Sequence, residues 1–410
     1  MGRSETPGIN HESLESPRSG RQGQFPDAED YSIAEYGPAI EIHDLSPAPR
    51  AEEIHIARSW GLRPRLYAVA RFARLGPMNL LPFVLAFFFV SPTWTLQTSG
   101  VTARLRGVSA VSDRVAWASG SGSTVLRTED GGASWKKITV TSDRLDFRDI
   151  DAIDEKTAYV LSIGNGDASR IYKSTDGGAT WTLQFRNDDP KAFLDAMSFW
   201  DADHGIVIGD SIDRQFYILT TSDGGRHWTR VPPETLPPAL VNEGAFAASG
   251  TNIAVYGRNH AWIGLGSSAR ARVLHTSDRG RHWKVFETPI PSSQSSGIFS
   301  IAFRDSKHGV IAGGDYQKEK EAVDNLALTD DGGATWQLVK GLSGFRSAVA
   351  YVPGTSSLIA LGPAGGDYSL TGGHSWMQLT GPGFDTLSFA HGKKIGWGAG
   401  ARGIVGRLNF

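Results

Sequence analysis

The sequence contains no cysteine among its 410 residues. This absence excludes disulfide bonds and thiol catalysis, but it does not identify a compartment. An excess of charge is also lacking, since 41 Lys and Arg face 43 Asp and Glu. The balance gives no reason to expect a nucleic acid partner. Helical periodicity is scarce and no dinucleotide fingerprint is present, so we predict no cofactor.

Long apolar runs are scarce as well. The run Leu80–Val90 has 11 residues, which is short for a membrane span but suits the hydrophobic part of a signal peptide. We expect residues 78–92 to be a signal-like segment and the protein to be exported to the periplasm or outside the cell. Residues 1–77 are expected to be disordered or an over-extended reading frame. The alternative is an anchoring helix or buried strand, so that any membrane contact would use this segment alone.

Glycine and tryptophan are abundant, with 49 and 12 copies, and they recur in a repeated turn. The shared pattern, hydroxyl-x-Asp-x-Gly-x-x-Trp, is called a box here, and self-similarity at this period indicates a solenoid or propeller. The five full boxes and a degraded sixth, in which Thr371 replaces the aspartate, are Thr128–Trp135, Ser174–Trp181, Thr221–Trp228, Thr276–Trp283, Thr329–Trp336 and Ser369–Trp376.

Each box has a local physical reason. An Asp side chain and a hydroxyl two residues earlier can accept hydrogen bonds from backbone N–H groups just ahead. The glycine permits positive φ, and the Trp returns as a large apolar anchor. Six near-identical copies therefore indicate scaffold rather than six active sites. The structural residues are Asp130, Trp135, Asp176, Trp181, Asp223, Trp228, Asp278, Trp283, Asp331, Trp336 and Trp376.

Short β-rich runs surround the boxes and predict the fold. Seven units align over residues 93–410, each with four short runs separated by glycine-rich turns, as in a β-propeller. The seventh unit stops after three strands, and the segment at Trp94 supplies the missing one. We therefore predict an all-β, seven-bladed propeller of four-stranded blades. Its last blade is closed by the N-terminal strand, which removes an open sheet edge.

The boxes resemble the Asp-box, or BNR, repeat of sialidases and other propellers. The repeat count and the terminal closure are most similar to the photosystem II assembly and stability factor family and its uncharacterised bacterial relatives. This resemblance implies an assembly or scaffold role. The box itself is specific for architecture and carries little information about activity.

In a propeller the first strand of each blade lines the central channel. The aligned first-strand position is occupied by Arg106, Arg148, Asp195, Glu243, Phe299, Arg346 and Asp385, and the fourth unit is aligned as a strand over residues 243–248. We expect the six ionisable residues to converge at one channel mouth, with Asp210, Asp315 and Tyr316 on adjacent loops. They form either a structural ring of ion pairs or a site for a protein partner or a small polar or anionic ligand.

The competing function is a sialidase-like glycoside hydrolase or a sugar-binding propeller. Glu243 and Asp195 would be the catalytic carboxylates beside the arginines. Against it, Arg106 and Arg148 lack the Arg-Ile-Pro context, no tyrosine accompanies Glu243, and sialidases have six blades. Whether the protein is an enzyme is left open, and we expect a monomer.

Other signals are weaker. The acidic run from Asp149 to Asp154 lacks the glycine and closing glutamate of an EF-hand, so it is interpreted as solvated acids. The box histidines His227 and His282 show no metal-ligand spacing, and no metal is predicted. Two insertions, at residues 232–238 and 315–325, depart from the regular repeat, as partner-recognition loops commonly do.

Overall fold

The structure, a computed structural model, describes residues 91–410. The predictions for residues 1–77 and for residues 78–90 of the hydrophobic segment concern residues outside this range. The described part of the chain forms 28 strands and three one-turn 3₁₀ segments, at Gly166–Ala168, Pro233–Thr235 and Ala401–Gly403. No helix in residues 91–410 is long and apolar enough to cross a membrane.

The strands form seven four-stranded antiparallel sheets, which are the blades of a β-propeller. Blade 1 contains β2 (Leu105–Ala110), β3 (Ala116–Gly120), β4 (Thr124–Thr128) and β5 (Lys136–Ile138). Blade 2 contains β6 (Asp146–Ala152), β7 (Ala158–Ile163), β8 (Arg170–Ser174) and β9 (Thr182–Arg186). Blade 3 contains β10 (Leu194–Phe199), β11 (Gly205–Ile212), β12 (Gln215–Thr221) and β13 (Thr229–Arg230). Blade 4 contains β14 (Ile253–Tyr256), β15 (His260–Gly264), β16 (Arg272–Thr276) and β17 (Lys284–Glu287).

The remaining blades follow the same order. Blade 5 contains β18 (Ser296–Phe303), β19 (Gly309–Asp315), β20 (Leu326–Thr329) and β21 (Gln337–Leu338). Blade 6 contains β22 (Ala348–Tyr351), β23 (Leu358–Gly362), β24 (Gly365–Ser369) and β25 (Met377–Leu379). Blade 7 contains β26 (Thr386–Phe389), β27 (Ile395–Ala399), β28 (Val405–Asn409) and, as its outer strand, β1 (Thr93–Gln97).

Blade 7 is built from both ends of the propeller. β1 runs antiparallel to β28, with Thr93 opposite Asn409 and Gln97 opposite Val405. The predicted closure by the strand around Trp94 is confirmed. In this way a strand from the other end of the propeller pairs with the edge of β28.

The boxes form the hydrogen bonds predicted from their sequence. In box 2 the Asp176 carboxylate accepts the hydroxyl of Thr180 (2.6 Å), the backbone N–H of Thr180 (2.9 Å) and the hydroxyl of Ser174 (2.9 Å). These bonds stabilise the charged form and lower the pKa of Asp176 to about 2. In boxes 3 and 4 the imidazoles of His227 and His282 replace the hydroxyl of Thr180. In the degraded box 6, Thr371 Oγ1 still accepts the N–H of Ser375 (2.9 Å).

Neighbouring first strands are joined by side chains. The inner edge of each first strand has no strand partner, so its N–H groups need other acceptors. The pairs are Ala110 N–H to Ser388 Oγ (3.1 Å), Ala152 N–H to Ser109 Oγ (3.0 Å), Val349 N–H to Ser300 Oγ (2.8 Å), Met197 N–H to Asp149 (2.7 Å) and Phe199 N–H to Asp151 (3.0 Å).

Asp149 and Asp151 correct the interpretation of the acidic run as solvated. Their carboxylates face blade 3, and Asp149 is only 5% exposed. Burial raises the pKa of Asp149 to about 7 and that of Asp151 to about 6. These acids therefore hold blades 2 and 3 together, whereas the sequence alone suggested surface residues.

A second correction concerns blade 4. Its first strand is β14, which begins at Ile253, so the aligned segment at residues 243–248 is not a strand of the blade. Residues 244–252, called the plug here, are small apart from Phe246. Small side chains allow this segment to enter the narrow channel. Its apolar pattern is the same as that of a first strand, which explains why the alignment assigned it to one.

The plug makes hydrogen bonds to blades on several sides of the channel. Its bonds are Arg148 Nη1 to Ala247 O (3.1 Å, blade 2), Ile301 N–H to Thr251 O (2.9 Å, blade 5), Ser249 Oγ to Ser347 O (2.7 Å, blade 6) and Thr386 Oγ1 to Ser249 O (2.9 Å, blade 7). The channel is therefore filled by the chain itself and does not run open through the blades.

Candidate functional site

One face of the propeller, called the mouth face here, carries the loops between second and third strands and the connections between blades. Four of the aligned first-strand residues, Arg106, Arg148, Asp195 and Phe299, occupy places where the register of the first strand shifts. Such β-bulges re-aim a side chain and interrupt the ladder. Bulging explains how a charged residue can occupy this position between apolar neighbours.

The six ionisable residues predicted for the mouth are all buried, at 6% exposure or less. Arg346 belongs to a pair inside blade 6. It donates through Nε to Asp367 (2.8 Å) and through Nη2 to Ser343 Oγ (2.6 Å), while Ser343 also donates to Asp367 (2.9 Å). Both charges are thus satisfied within the blade.

Glu243 belongs to a second pair, inside blade 4. Arg272, the first residue of β16, donates to both carboxylate oxygens, with a distance of 2.7 Å from Nε to Oε1. The N–H of Leu240 adds a third bond (2.8 Å). Through these bonds Glu243 holds the segment that precedes the plug against blade 4. A catalytic role for Glu243 with Asp195 stays a prediction.

The remaining charges form what we call the mouth cluster: Arg104, Arg106, Arg148, Asp146 and Asp385. Arg104 holds the Asp385 carboxylate with two bonds, of 2.8 and 2.9 Å. Arg148 donates from Nε to Asp146 (2.9 Å) and reaches the plug at Ala247. Blades 7, 1 and 2 therefore bring three guanidinium groups and two carboxylates to one place.

Arg106 lies in the middle of this cluster. Burial lowers the pKa of its guanidinium, Asp385 and Asp146 raise it, and the positive charges of Arg148 and Arg104 lower it further. Like charges near one another are unfavourable unless anions accompany them. Among these five side chains the guanidinium groups outnumber the carboxylates by one.

The blade 5 insertion reaches the same region. Asp315 begins it by accepting the N–H of Gln317 (3.0 Å), and Tyr316 lies edge-on to Phe299 with ring centroids 6.2 Å apart. Phe246 of the plug stacks on the other side of Phe299, at 3.9 Å. Burial raises the pKa of Glu319, while Arg104 lowers it, which places this insertion carboxyl beside the mouth cluster. The mouth thus has a charged side and an aromatic side.

The two other predicted residues lie in blade 3. Asp195 is buried at the bulge of β10, and Asp210, in β11, is half-buried with its N–H donated to Phe193 O (2.9 Å). Among residues 91–410, His, Asp and Glu form no group of three or more that could hold a metal ion. Of the predicted ring, the structure shows Arg106, Arg148 and Asp385 together, with Arg346 and Glu243 engaged separately.

Sequence alignment of the repeats missed the residues that partner the ring. These residues are Arg104, Asp146, Arg272, Glu319 and Asp367. The sequence pattern could have identified two of them, because Arg104 and Asp146 each lie two residues before an aligned arginine. Arg272 begins the third strand of blade 4 and Asp367 is the central residue of the third strand of blade 6, and in each the signal is a single charged residue in the strand.

Comparison with known proteins supports the fold. No family model and no curated protein matches the chain. A solved structure described as YCF48 bound to D1 peptide is 18% identical over 77% of this chain and 97% of its own, with a TM-score of 0.56. A GH74 xyloglucanase from Xanthomonas campestris is 16% identical over 77% of this chain and 53% of its own, with a TM-score of 0.55. Streptogramin B lyase is 13% identical over 78% and 97%, with a TM-score of 0.57.

At these identities the similarity shows the β-propeller fold, which hosts many functions. The neighbours include a peptide-bound protein and two proteins named as enzymes, so the choice between them rests on the residues of the mouth.

Proposed function

We propose that the protein is a binding propeller of the assembly type, which holds an acidic segment of a partner protein on its mouth face. The observation that carries the proposal is the convergence of Arg104, Arg106 and Arg148 on one place. Guanidinium groups bind carboxylates with paired hydrogen bonds. Because the plug fills the channel beneath, a ligand rests on the mouth and does not thread through the ring.

The comparisons support a protein partner. YCF48, a propeller with the same fold, is described as bound to a peptide. The boxes and the closure of the ring resemble the photosystem II assembly and stability factor family, which implies an assembly role. No residue of this chain is assigned from those proteins.

Two irregular segments at the mouth face offer further contacts to a partner. The connection into blade 4 carries Val241, which is 64% exposed, and the blade 5 insertion carries Val323, which is 61% exposed. Exposed apolar residues on loops that depart from a regular repeat are typical of recognition surfaces. A bound segment with a carboxylate would therefore find apolar contacts on the same face.

A labelled deca-glutamate peptide tests this proposal with the full chain. We expect its fluorescence anisotropy to rise on binding and the Arg104→Ala variant to bind at least about tenfold more weakly, since a charged hydrogen bond contributes about 1.5–3 kcal/mol. Arg104→Lys should recover only part of the affinity because lysine lacks the planar fork.

The matched control is Arg270→Ala, which removes an exposed arginine paired with Glu287. We expect its affinity to equal that of the unaltered protein. Equal weakening by Arg104→Ala and Arg270→Ala would show non-specific attraction, and absence of binding would contradict the proposal. Deca-glutamine, which has no charge, should not bind.

A further inference from the structure

The opposite face of the propeller, which carries the boxes, shows a repeated contact between blades. A cation from the third strand of one blade covers the first glycine of the next box. Arg127 Nη1 lies 3.2 Å from the point where a Cβ would stand on Gly177. Lys173 Nζ donates to the carbonyl of Gly224 (2.8 Å). These cations therefore connect blade 1 to blade 2 and blade 2 to blade 3 on this face.

An aromatic ring accompanies each of these cations on the second strand. Trp117 is paired in register with Arg127, and Tyr159 with Lys173. The Tyr159 hydroxyl also donates to Gly224 O (2.8 Å). Between blades 4 and 5, Trp262 Nε1 donates to Gly332 O in the same way (2.8 Å). At these two interfaces, between blades 2 and 3 and between blades 4 and 5, a flat ring with a donor on its edge satisfies the glycine carbonyl.

Two interfaces lack this arrangement. Ile206 is paired with Thr220 at the interface of blades 3 and 4, and Val310 with Leu328 at that of blades 5 and 6. At blades 5 and 6 neither residue carries a donor. A cleft of about 260 Å³ opens there, lined among others by Arg304, Tyr351 and His374.

The first glycine of box 6 is also more open than the other first glycines, three of which meet a backbone carbonyl of their own blade. The nearest atom to a Cβ on Gly372 is 3.9 Å away, whereas the distances at Gly131, Gly177, Gly224 and Gly332 are 2.9 to 3.2 Å. Within residues 91–410, no side chain donates a hydrogen bond to the Gly372 carbonyl. At Gly224 and Gly332 a ring or a cation donates to the equivalent carbonyl, whereas Gly372 lines the cleft.

The charges at the cleft largely compensate one another. Asp305 accepts from His308 Nδ1 (2.8 Å) and lies 3.5 Å from Arg304 Nε. Asp330 and His374 line the remaining wall. Burial raises the pKa of Tyr351 to about 12, so that its ring stays a neutral phenol. A neutral ligand fits this balance better than an ion.

We infer that the cleft between blades 5 and 6 binds a flat ring that bears an N–H or O–H donor on its edge, such as an indole or a phenol. The donor bonds to the carbonyl of Gly372, and the ring rests against Leu328, whose side chain packs against Gly373 as Trp117 packs against Gly178. The ring belongs either to a small molecule or to a tryptophan or tyrosine of a partner chain.

Fluorine NMR of 5-fluoroindole with the full chain tests the inference. We expect the resonance to broaden on binding. The analogue 5-fluoro-1-methylindole, which lacks the N–H donor, should bind at least fivefold more weakly. Equal binding of the two compounds, or no broadening with either, would overturn the inference.

Two variants locate the site. Leu328→Arg supplies the cation found at Arg127, and Gly372→Arg reproduces Arg279 of box 4, which has nearly the same φ (65° against 69°). We expect either change to abolish binding, whereas Leu183→Arg, the same kind of substitution on an exposed strand, leaves it intact. Thermal denaturation confirms folding, and binding retained in a folded cleft variant would refute the site.

The two sources of the ring are separated by a third compound. N-Acetyl-tryptophanamide presents the indole as a protein chain does. If it competes with 5-fluoroindole as strongly as indole itself, the cleft accommodates a partner's side chain. If indole alone competes, the cleft takes a small molecule.

Discussion

The charged residues of the mouth face are held in pairs that span very different lengths of chain. Arg346 and Asp367 are 21 residues apart, whereas Arg104 and Asp385 are 281 apart. Alignment of the repeats identifies equivalent positions in different blades, so it found Arg346 and Asp385. Repetition carries no information on which positions touch, and for this reason the partners Asp367 and Arg104 were missed.

The Arg346–Asp367 pair yields a prediction about stability. Arg346→Ala leaves Asp367 buried without its cation, so we expect a loss of about 3–5 kcal/mol in the free energy of unfolding. Arg270→Ala, in an exposed pair, should cost less than about 1 kcal/mol. Chemical denaturation measures both, and similar losses in the two variants would show that burial does not govern these pairs.

Asp149 and Asp151 yield a prediction about pH. Their folded-state pKa values lie above the ordinary value of 3.8, so the native state binds protons that the unfolded state has released. Their contribution to stability is therefore greatest below pH 4 and is lost as the pH rises towards 7. Urea unfolding across this range should show a smaller decline in Asp151→Asn than in the unaltered protein. Identical declines would mean that Asp151 does not titrate there.

At the scale of elements, blade 4 shows where sequence patterns fail. The segment at residues 243–248 has the apolar pattern of a first strand, and the other six blades confirm that pattern. Here the chain instead enters the channel as the plug, and β14 follows at Ile253. Whether this segment forms a strand or enters the channel depends on the space that remains inside the ring of seven first strands. A local sequence pattern carries no information on that space.

The plug can be tested through one of its glycines. A Cβ on Gly250 would lie 2.1 Å from Asp149 Oδ1, and its φ is 74°. We expect Gly250→Ala to destabilise the protein by clearly more than 1 kcal/mol, because steric overlap adds to backbone strain. Gly122→Ala is the control. Gly122 has a φ of 63° and a Cβ there would meet no atom within 4 Å, so this substitution adds backbone strain without steric overlap. Equal melting temperatures for the two variants would argue against a tightly packed plug.

At the scale of the whole molecule, the seven-bladed ring and its closure were predictable from the sequence. The boxes mark six of the blades, and the unfinished seventh unit requires a strand from the other end. The mouth was less predictable, because its geometry arises from β-bulges, the plug and the blade 5 insertion. Each of these features departs from the sequence repeat on which the prediction of the fold was based.

Closure of the ring gives a further prediction. Trp94 of β1 packs against Phe384, with ring centroids 4.4 Å apart. Trp94→Ala should lower stability by about 3–5 kcal/mol, and a loosened β1 would expose the edge of β28 to other copies. Leu96→Ala, at a position 57% exposed on the same strand, is the control. Sedimentation and thermal denaturation check both effects, and equal behaviour of the two variants would contradict closure by packing of Trp94.

Hydrogen–deuterium exchange of the full chain, with and without saturating deca-glutamate, tests directly whether the mouth face is the binding surface. We predict slower exchange at the mouth face, in the segments around Arg104 and Arg148 and in residues 315–325, with no change in the boxes. Protection confined to the box face, or none at all, would contradict the assignment of the mouth as the binding surface.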